Sequence, residues 1–220
     1  MAAFGGIVAM NRVVDLATAQ AVVEGKKFLE VILAPGYEPA ALELLRNRWK
    51  EVRILETGPL LAPSERSKRD PDIKKITGGL LLQDRDLETF DPASWTHAGG
   101  PAPSGGMSDQ MRLAMIAVKH LKSNAISLVR DSMLVGAGAG QMDRLASCRI
   151  ATEKAGARAK GAVAGSDAFF PFRDGPDQLI RAGVVGIVQP GGSKRDEETV
   201  AACNESGVTL VFTGKRHFRH

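Results

Sequence analysis

Short apolar runs alternate with amphipathic stretches along the chain. The apolar runs, rich in Val, Ile, Leu, Ala and Gly, predict strands at residues 4–10, 28–34, 52–56, 80–83, 125–130, 161–165, 184–189 and 208–213. Apolar positions at helical spacing predict helices at residues 15–24, 107–122, 141–154, 177–182 and 196–206, with one more starting at Pro39. This alternation predicts an α/β architecture with a largely parallel or mixed sheet and helices on both faces.

Two polar stretches interrupt the alternation. Residues 57–75 are rich in Pro, Ser, Lys and Asp, which is typical of a loop, and residues 96–106 are rich in Gly and Pro, which predicts a linker. We therefore expect a first subdomain with its connector at residues 1–95 and a second subdomain at residues 107–220. The first apolar run begins almost at Met1, whereas most domains open with a polar, frayed end, so the first subdomain is expected to be truncated at its start.

Composition narrows the possible ligands. The formal net charge of +4 suits an anionic ligand, and there is no dense basic stripe with interleaved aromatic residues of the kind that binds nucleic acid. The sequence has neither an apolar run of about 18 residues nor a signal-peptide pattern, so we expect a cytoplasmic protein without a membrane span. Cys148 and Cys203 are the two cysteines, and the absence of CxxC and HxE patterns argues against a metal site.

A run of glycines precedes a predicted helix. Residues 136–140 read Gly-Ala-Gly-Ala-Gly, and such a turn can direct backbone N–H groups at an anion. The run matches neither the Walker pattern nor GxGxxG. It therefore predicts an anion-binding turn or a tight connection between a strand and a helix, and the pattern does not decide between them.

Polar side chains stand at the ends of the predicted strands. Asn124 precedes one strand and Arg144 opens a helix; their amide and guanidinium suit a base carboxamide, although each type also serves as a cap or a surface group. Ser193 follows another strand, where it either contacts a ligand or caps a helix. Glu30 lies inside an apolar strand, where a carboxylate usually has a partner.

An aromatic loop follows the strand at residues 161–165. Phe169, Phe170 and Phe172 fall within four residues and are broken by a proline, so they cannot all enter one core face. Such a loop either holds a flat heterocycle, with Asp174 to bind its N–H groups, or plugs the core. The basic residues 215–220 follow the last strand directly, which keeps them near the sheet.

Taken together, these segments resemble the AICAR formyltransferase family. In this family the formyltransferase domain forms the C-terminal part of a bifunctional purine-biosynthesis enzyme, which also has an IMP cyclohydrolase domain. The matching segments, in family order and spacing, are residues 4–9, 28–31, 78–84, 123–126, 136–144, 166–174, 189–193 and 216–220. The resemblance implies two cytidine-deaminase-like three-layer α/β/α subdomains without zinc. It also implies transfer of a formyl group from 10-formyltetrahydrofolate, as co-substrate, to AICAR to give FAICAR.

The resemblance assigns roles to single residues. Those implied to bind AICAR are Phe4, Gly5, Glu30, Asn124, Arg144, Phe169, Arg216 and His220. Within that set, Glu30 would hold the ribose hydroxyls, Asn124 and Arg144 would orient the carboxamide, and Arg216 would meet the phosphate. Those implied to bind folate are Phe172, Asp174 and Ser193, with Asp174 reading the pterin.

One departure from the family concerns catalysis. The family's Lys-His-x-x-Pro motif lies upstream of Phe4, and Lys119-His120 is not this motif because no proline follows at the required place. We therefore expect no catalytic residue in this chain and no turnover by the chain alone. The resemblance implies a homodimer, because the family's site forms between two subunits, and a separate chain carrying the Lys-His segment would supply the missing residues. The alternative is a non-catalytic nucleotide- or folate-binding, or dimer-forming, protein on the same scaffold.

Overall fold

A computed structural model of the chain describes residues 4–25, 28–60 and 71–220. The chain divides into two compact units, one ending at Leu87 and one running from Glu88 to His220. We call them the amino-terminal and the carboxyl-terminal unit. Each predicted strand and helix has a counterpart in the structure, with bounds that differ by a few residues.

The amino-terminal unit is built on a parallel three-stranded sheet. Its elements are β1 (Gly6–Ala9), α1 (Leu16–Glu24), β2 (Leu29–Ala34), α2 (Pro39–Arg48) and β3 (Arg53–Glu56), and the strand order is β1-β2-β3. Its core includes Ile32 and Leu45, both fully buried. Helix α1 begins after Asp15, whose Oδ1 accepts a hydrogen bond from Thr18 N at 2.7 Å. This bond lowers the pKa of the Asp15 carboxyl because it stabilises the charged form.

An antiparallel hairpin completes this unit. It consists of β4 (Asp72–Ile76) and β5 (Gly79–Gln83). The loop predicted at residues 57–75 therefore ends earlier than expected, and its residues 61–70 lie outside the described residues. Every side chain of β4 is exposed, so no alternation of buried and polar positions marks this strand in the sequence.

The carboxyl-terminal unit contains a mixed six-stranded sheet. In chain order its elements are β6 (Thr96–Gly99), α3 (Gly105–Lys119), β7 (Ile126–Arg130), β8 (Met133–Gly138), α4 (Arg144–Ala155), β9 (Val163–Ser166), α5 (Asp174–Arg181), β10 (Gly186–Gln189), α6 (Asp196–Ser206) and β11 (Thr209–Phe212). The strand order is β6-β11-β10-β9-β7-β8. Strands β9, β10 and β11 are mutually parallel, whereas β6 and β7 run opposite to them, and β8 runs opposite to β7.

Helices cover both faces of this sheet. Leu128 packs in one core with residues of α4 and α5, and the next residue, Val129, packs in a second core with α3. This alternation is the period-two pattern of a strand buried on both sides. The prediction of an α/β fold with a mixed sheet is thus confirmed. In the described residues no helix is long and apolar enough to cross a membrane.

The stretch predicted as a linker, residues 96–106, is largely regular structure. Residues Thr96–Gly99 form β6, an edge strand paired antiparallel with β11, and Gly105 is the first residue of α3. Gly100 serves close packing: its N donates to Asn204 Oδ1 at 2.6 Å, and a Cβ at this position would lie 1.9 Å from Val208 O. Gly and Pro content alone does not separate such an edge from a linker.

Candidate functional site

Five loops of the carboxyl-terminal unit meet at one edge of its sheet. Because β7 is antiparallel to β9, with Ile126 opposite Ser166, the segment that enters β7 lies at the edge where β9 ends. The parallel neighbours β10 and β11 end at the same edge, as does β8, whose Gly138 lies opposite Ile126. The loops at this edge are residues 123–125, 139–143, 167–173, 190–195 and 213–220. Ligand sites of α/β proteins form at such edges.

Arg144 is the centre of a buried polar network at this edge. Its Nη1 donates to Asp167 Oδ1 at 2.5 Å and to Ser166 Oγ at 2.9 Å, and its Nη2 donates to Asn124 Oδ1 at 2.9 Å. The side chains of Arg144 and Asp167 are 7% and 0% exposed, so the two charges neutralise each other away from water. The second hydrogen of Nη2 has no acceptor among the described residues, which leaves a donor for a ligand.

Asn124 is held as firmly as Arg144. Its Nδ2 donates to Gln141 O at 3.0 Å and Met142 O at 3.2 Å, and its backbone O accepts from Ser147 Oγ at 2.7 Å. The Ser123–Asn124 peptide bond is cis. Because both amide hydrogens of Asn124 are in use, the group that this side chain still offers to a ligand is a lone pair on Oδ1.

The aromatic loop divides between core and surface. Phe170 is 1% exposed and joins the core, whereas Phe169 is half-buried and Phe172 is 51% exposed. The rings of Phe169 and Phe172 each have an arginine guanidinium over one face. Arg216 lies 5.3 Å from the Phe169 ring centroid, and Arg195 lies 5.1 Å from the Phe172 ring centroid. The sequence left open whether this loop fills the core or holds a flat ligand. In the structure Phe170 fills the core, whereas the rings of Phe169 and Phe172 remain accessible to a ligand.

The terminal residues form a strap across the same edge. His217 is buried, its ring packs edge-on against Phe90 with centroids 4.8 Å apart, and its N donates to Asp167 O at 2.9 Å. Further along, Lys122 Nζ donates to His220 O at 2.7 Å. Arg216 and His220 themselves have exposed side chains. The anchored backbone thus presents Arg216 beside Phe169 and His220 beside Phe218, with the two rings 5.8 Å apart.

Asp174 and Ser193 lie in the loops after β9 and β10. Asp174 is exposed and is the first residue of α5, where its Oδ1 accepts from Gly175 N at 2.7 Å. Ser193 Oγ accepts from Arg195 N at 3.1 Å, and Asp196 Oδ2 accepts from Ser193 N at 3.2 Å. Helix α6 begins at Asp196, so Ser193 orders the turn before the helix instead of capping the helix itself.

The glycine run lies largely within a strand that packs closely against a helix. Gly136 and Gly138 lie in β8, and their missing side chains let α4 approach: a Cβ at Gly138 would lie 2.0 Å from Ser147 O, and one at Gly136 would lie 2.2 Å from Ala151 O. A glycine at every second position of the strand permits this close contact between strand and helix. Of the three glycines, Gly140 alone lies in the connection between β8 and α4, and the anion-binding interpretation of the run stays a prediction.

The three site candidates of the amino-terminal unit lie at the amino ends of β1 and β2. Gly5 has φ +70, and a Cβ there would lie 2.5 Å from Glu30 Oε1. The partner expected for Glu30 is Arg53, at 3.8 Å between Nη1 and Oε2, with both side chains largely exposed. Phe4 is 91% exposed and its ring lies 5.4 Å from that of Phe28. The structure thus brings Phe4, Gly5 and Glu30 together.

Sequence reasoning missed several residues that build the site. Asp167 accepts a hydrogen bond from Arg144, and Ser123 binds both Asp167 and the terminal strap. Gln189 is fully buried, and its Oε1 accepts a hydrogen bond from Phe170 N at 2.8 Å. No described residue accepts from Gln189 Nε2. A usable signal exists for two of them, since Asp167 and Gln189 are polar residues directly at the ends of apolar strands.

Neither cysteine is suited to nucleophilic chemistry. Cys148 and Cys203 are free and fully buried. Burial raises the pKa of each thiol to about 12, because a thiolate is poorly solvated in the core. Among the described residues, no three His, Cys, Asp or Glu side chains are placed to hold a metal ion.

Comparison with known proteins gives one consistent family. Residues 1–154 match the family described as AICARFT/IMPCHase bienzyme. The whole chain is 48% identical over 221 residues to the "Bifunctional purine biosynthesis protein PurH" of Myxococcus xanthus, covering 42% of that protein. It is 45% identical to the PurH of Bacillus subtilis over 217 residues, which are 99% of this chain and 41% of that protein. The chain therefore spans less than half the length of these relatives.

A solved structure of RibD from Acinetobacter baumannii (form 2) overlaps 46% of this chain and 32% of its own. The TM-score is 0.34 and the sequence identity 17%, and this overlap is too slight to support an argument about fold or function.

Proposed function

The chain belongs to the AICARFT/IMPCHase bienzyme family, whose members act in purine biosynthesis, and we propose that it is the C-terminal portion of the AICAR formyltransferase part. In this proposal the carboxyl-terminal unit binds AICAR and 10-formyltetrahydrofolate as a half-site. The two units correspond to cytidine-deaminase-like subdomains, as the resemblance implies.

One observation carries the proposal. The buried guanidinium of Arg144, fixed by Asp167 and Asn124, stands at the same sheet edge as Arg216 on Phe169. The planar guanidinium of Arg144 suits the carboxamide of AICAR, and the exposed charge of Arg216 suits its phosphate. The exposed ring of Phe172, with Asp174 two residues further, suits a pterin with its N–H groups.

Formyl transfer sets clear chemical demands. The 5-amino nitrogen of AICAR attacks the formyl carbon, the bond from that carbon to N10 of the folate breaks, the amine loses a proton and N10 gains one. The amine is a poor nucleophile because its lone pair is conjugated with the imidazole and carboxamide. Arg144 would help the attack by orienting the carboxamide, and with it the amine, toward the formyl carbon. Removal of the amine proton needs a base.

We propose that this base is absent from the 220 residues. Lys119-His120 has Ser123 where the motif requires proline, and no other Lys-His pair occurs, so the family's Lys-His-x-x-Pro motif is absent from the sequence. The chain should therefore bind both substrates without transferring the formyl group, and a second polypeptide with the Lys-His segment should restore transfer. A homodimer is part of the proposal: Leu80 and Leu82, on one face of the hairpin, are 63% and 66% exposed and offer an apolar surface that an interface would cover.

Calorimetry with AICAR tests the binding half of the proposal. Wild type should bind AICAR, and Arg216→Ala should weaken binding about tenfold or more, since it removes a charge-assisted contact to phosphate. Arg181→Ala is the matched control, because Arg181 is exposed at the far end of α5, away from the sheet edge. Equal affinities of the two variants would contradict the proposal, as would absence of AICAR binding by the wild type.

A turnover assay tests the other half. The isolated chain with both substrates should give no FAICAR, and addition of the separately produced Lys-His segment should give a measurable rate. Turnover by the isolated chain would disprove the statement that the base lies elsewhere, while leaving the binding assignment intact.

A further inference from the structure

We propose that Asp167 is a positioning residue that links the two ends of the AICAR half-site, through Arg144 on one side and through Ser123 and the terminal strap on the other. The inference rests on the proposed function. Asp167 would not touch the ligand; it would set the distance between the group that orients the carboxamide and the group that meets the phosphate.

Both oxygens of the Asp167 carboxylate are used, one for each end. Oδ1 accepts from Arg144 Nη1 at 2.5 Å and Oδ2 accepts from Ser123 Oγ at 2.5 Å. The side chain is fully buried, so each contact acts without competition from water. A single rigid carboxylate therefore fixes Arg144 relative to Ser123.

Ser123 passes this constraint to the strap. Because its hydroxyl hydrogen points to Asp167, its oxygen is free to accept from Arg219 N at 2.9 Å, and Ser123 N donates to Arg219 O at 2.9 Å. The backbone O of Asp167 also accepts from His217 N at 2.9 Å. These bonds clamp the strap on either side of Phe218, and Arg216 precedes the first clamped residue.

A purely structural clamp would behave differently from a positioning device. If the Ser123–Asp167 contacts only stabilise the fold, their loss would weaken every ligand of the site equally. If they place the strap for phosphate, their loss should weaken AICAR but not the corresponding nucleoside, which lacks the phosphate. The ratio of the two dissociation constants is therefore the decisive quantity.

The experiment compares Ser123→Ala with wild type in the full 220-residue chain. Dissociation constants for AICAR and for its nucleoside are measured by calorimetry, and the exchange of the Arg219 amide hydrogen by NMR. We expect AICAR to bind about fivefold to tenfold more weakly, which is the effect of one or two hydrogen bonds, with less than a twofold change for the nucleoside and faster Arg219 exchange. Ser123→Thr keeps the hydroxyl and should retain most of the wild-type ratio.

A second pair of variants avoids the buried network. Arg219→Pro removes the amide hydrogen that reaches Ser123 Oγ, and Arg219→Ala keeps it, so only the proline variant should reproduce the selective loss of AICAR affinity. The positioning role would be overturned if the variants lost equal affinity for AICAR and for its nucleoside. It would also be overturned if Arg219→Pro bound AICAR as tightly as Arg219→Ala does. Both results would leave AICAR binding by the wild type unaffected. No AICAR binding by wild type would overturn the proposed function itself.

Discussion

Asp167 and Arg144 form an ion pair inside the carboxyl-terminal unit, with 2.5 Å between Oδ1 and Nη1 and side-chain exposures of 0% and 7%. By contrast, Arg173 and Glu205 lie 2.9 Å apart at side-chain exposures of 41% and 60%. The same type of contact thus occurs both in the core and at the surface. Desolvation makes the consequences of breaking the two pairs very different.

Asp167→Asn should destabilise the protein strongly. The substitution keeps the shape of the side chain but leaves the Arg144 charge buried without its counter-ion, which costs about 3–5 kcal/mol. Glu205→Gln is the control and should change the free energy of unfolding by less than about 1 kcal/mol, because water replaces the lost contact. Urea unfolding followed by circular dichroism measures both. Similar changes in the free energy of unfolding for the two substitutions would contradict the view that burial sets the cost of breaking an ion pair.

The fold was largely accessible from the sequence because most strands are buried on one or both faces. Such strands leave a clear apolar signal, as in residues Ile126–Arg130 and Gly186–Gln189. The elements that escaped are edges: β4 has no buried side chain, and β6 and β8 are the two outer strands of the six-stranded sheet, each paired on one side. Edge strands depend on a partner distant in the chain, and local composition does not record that partner.

The site was accessible only in part. Strand-end polar residues such as Asn124 and Arg144 do meet at one sheet edge, since topology places these strand ends together. The role of Asp167 depends instead on contacts with Ser123 and Arg144, 44 and 23 positions away. The glycine run left two interpretations open in the sequence, and neither anticipated the cause that the structure gives for Gly136 and Gly138, the approach of α4 to β8.

Gly138→Ala should separate α4 from β8. The added methyl would lie 2.0 Å from Ser147 O, so the helix must shift, and overpacking of this kind costs about 1–3 kcal/mol or more. Gly106→Ala is the same substitution where nothing lies within 4 Å, at the start of α3. It should be neutral or stabilise by up to about 1 kcal/mol, because alanine favours the helix. Thermal unfolding of both variants checks the pair, and a tolerated Gly138→Ala would argue against the contact.

Neither cysteine should react while the protein is folded. Burial raises the pKa of Cys148 and of Cys203 to about 12, so at pH 8 both remain neutral thiols that are also shielded from reagents. Mass spectrometry after treatment with iodoacetamide at pH 8 should show no added groups in buffer and two in concentrated urea. Rapid labelling of one cysteine in buffer would show that its helix, α4 or α6, opens locally.

Glu30→Gln should weaken AICAR and its nucleoside to the same extent. The family resemblance implies that the Glu30 carboxylate holds the ribose hydroxyls, which both ligands carry, and replacing a charged acceptor by an amide costs about tenfold in affinity. Protein stability should hardly change, because the contact of Glu30 with Arg53 is a 3.8 Å pair at exposures of 50% and 68%. Glu38→Gln is the control, since Glu38 is exposed and its side chain makes no cap hydrogen bond at the start of α2. A loss for AICAR alone would place Glu30 near the phosphate, and no loss for either ligand would remove it from the site.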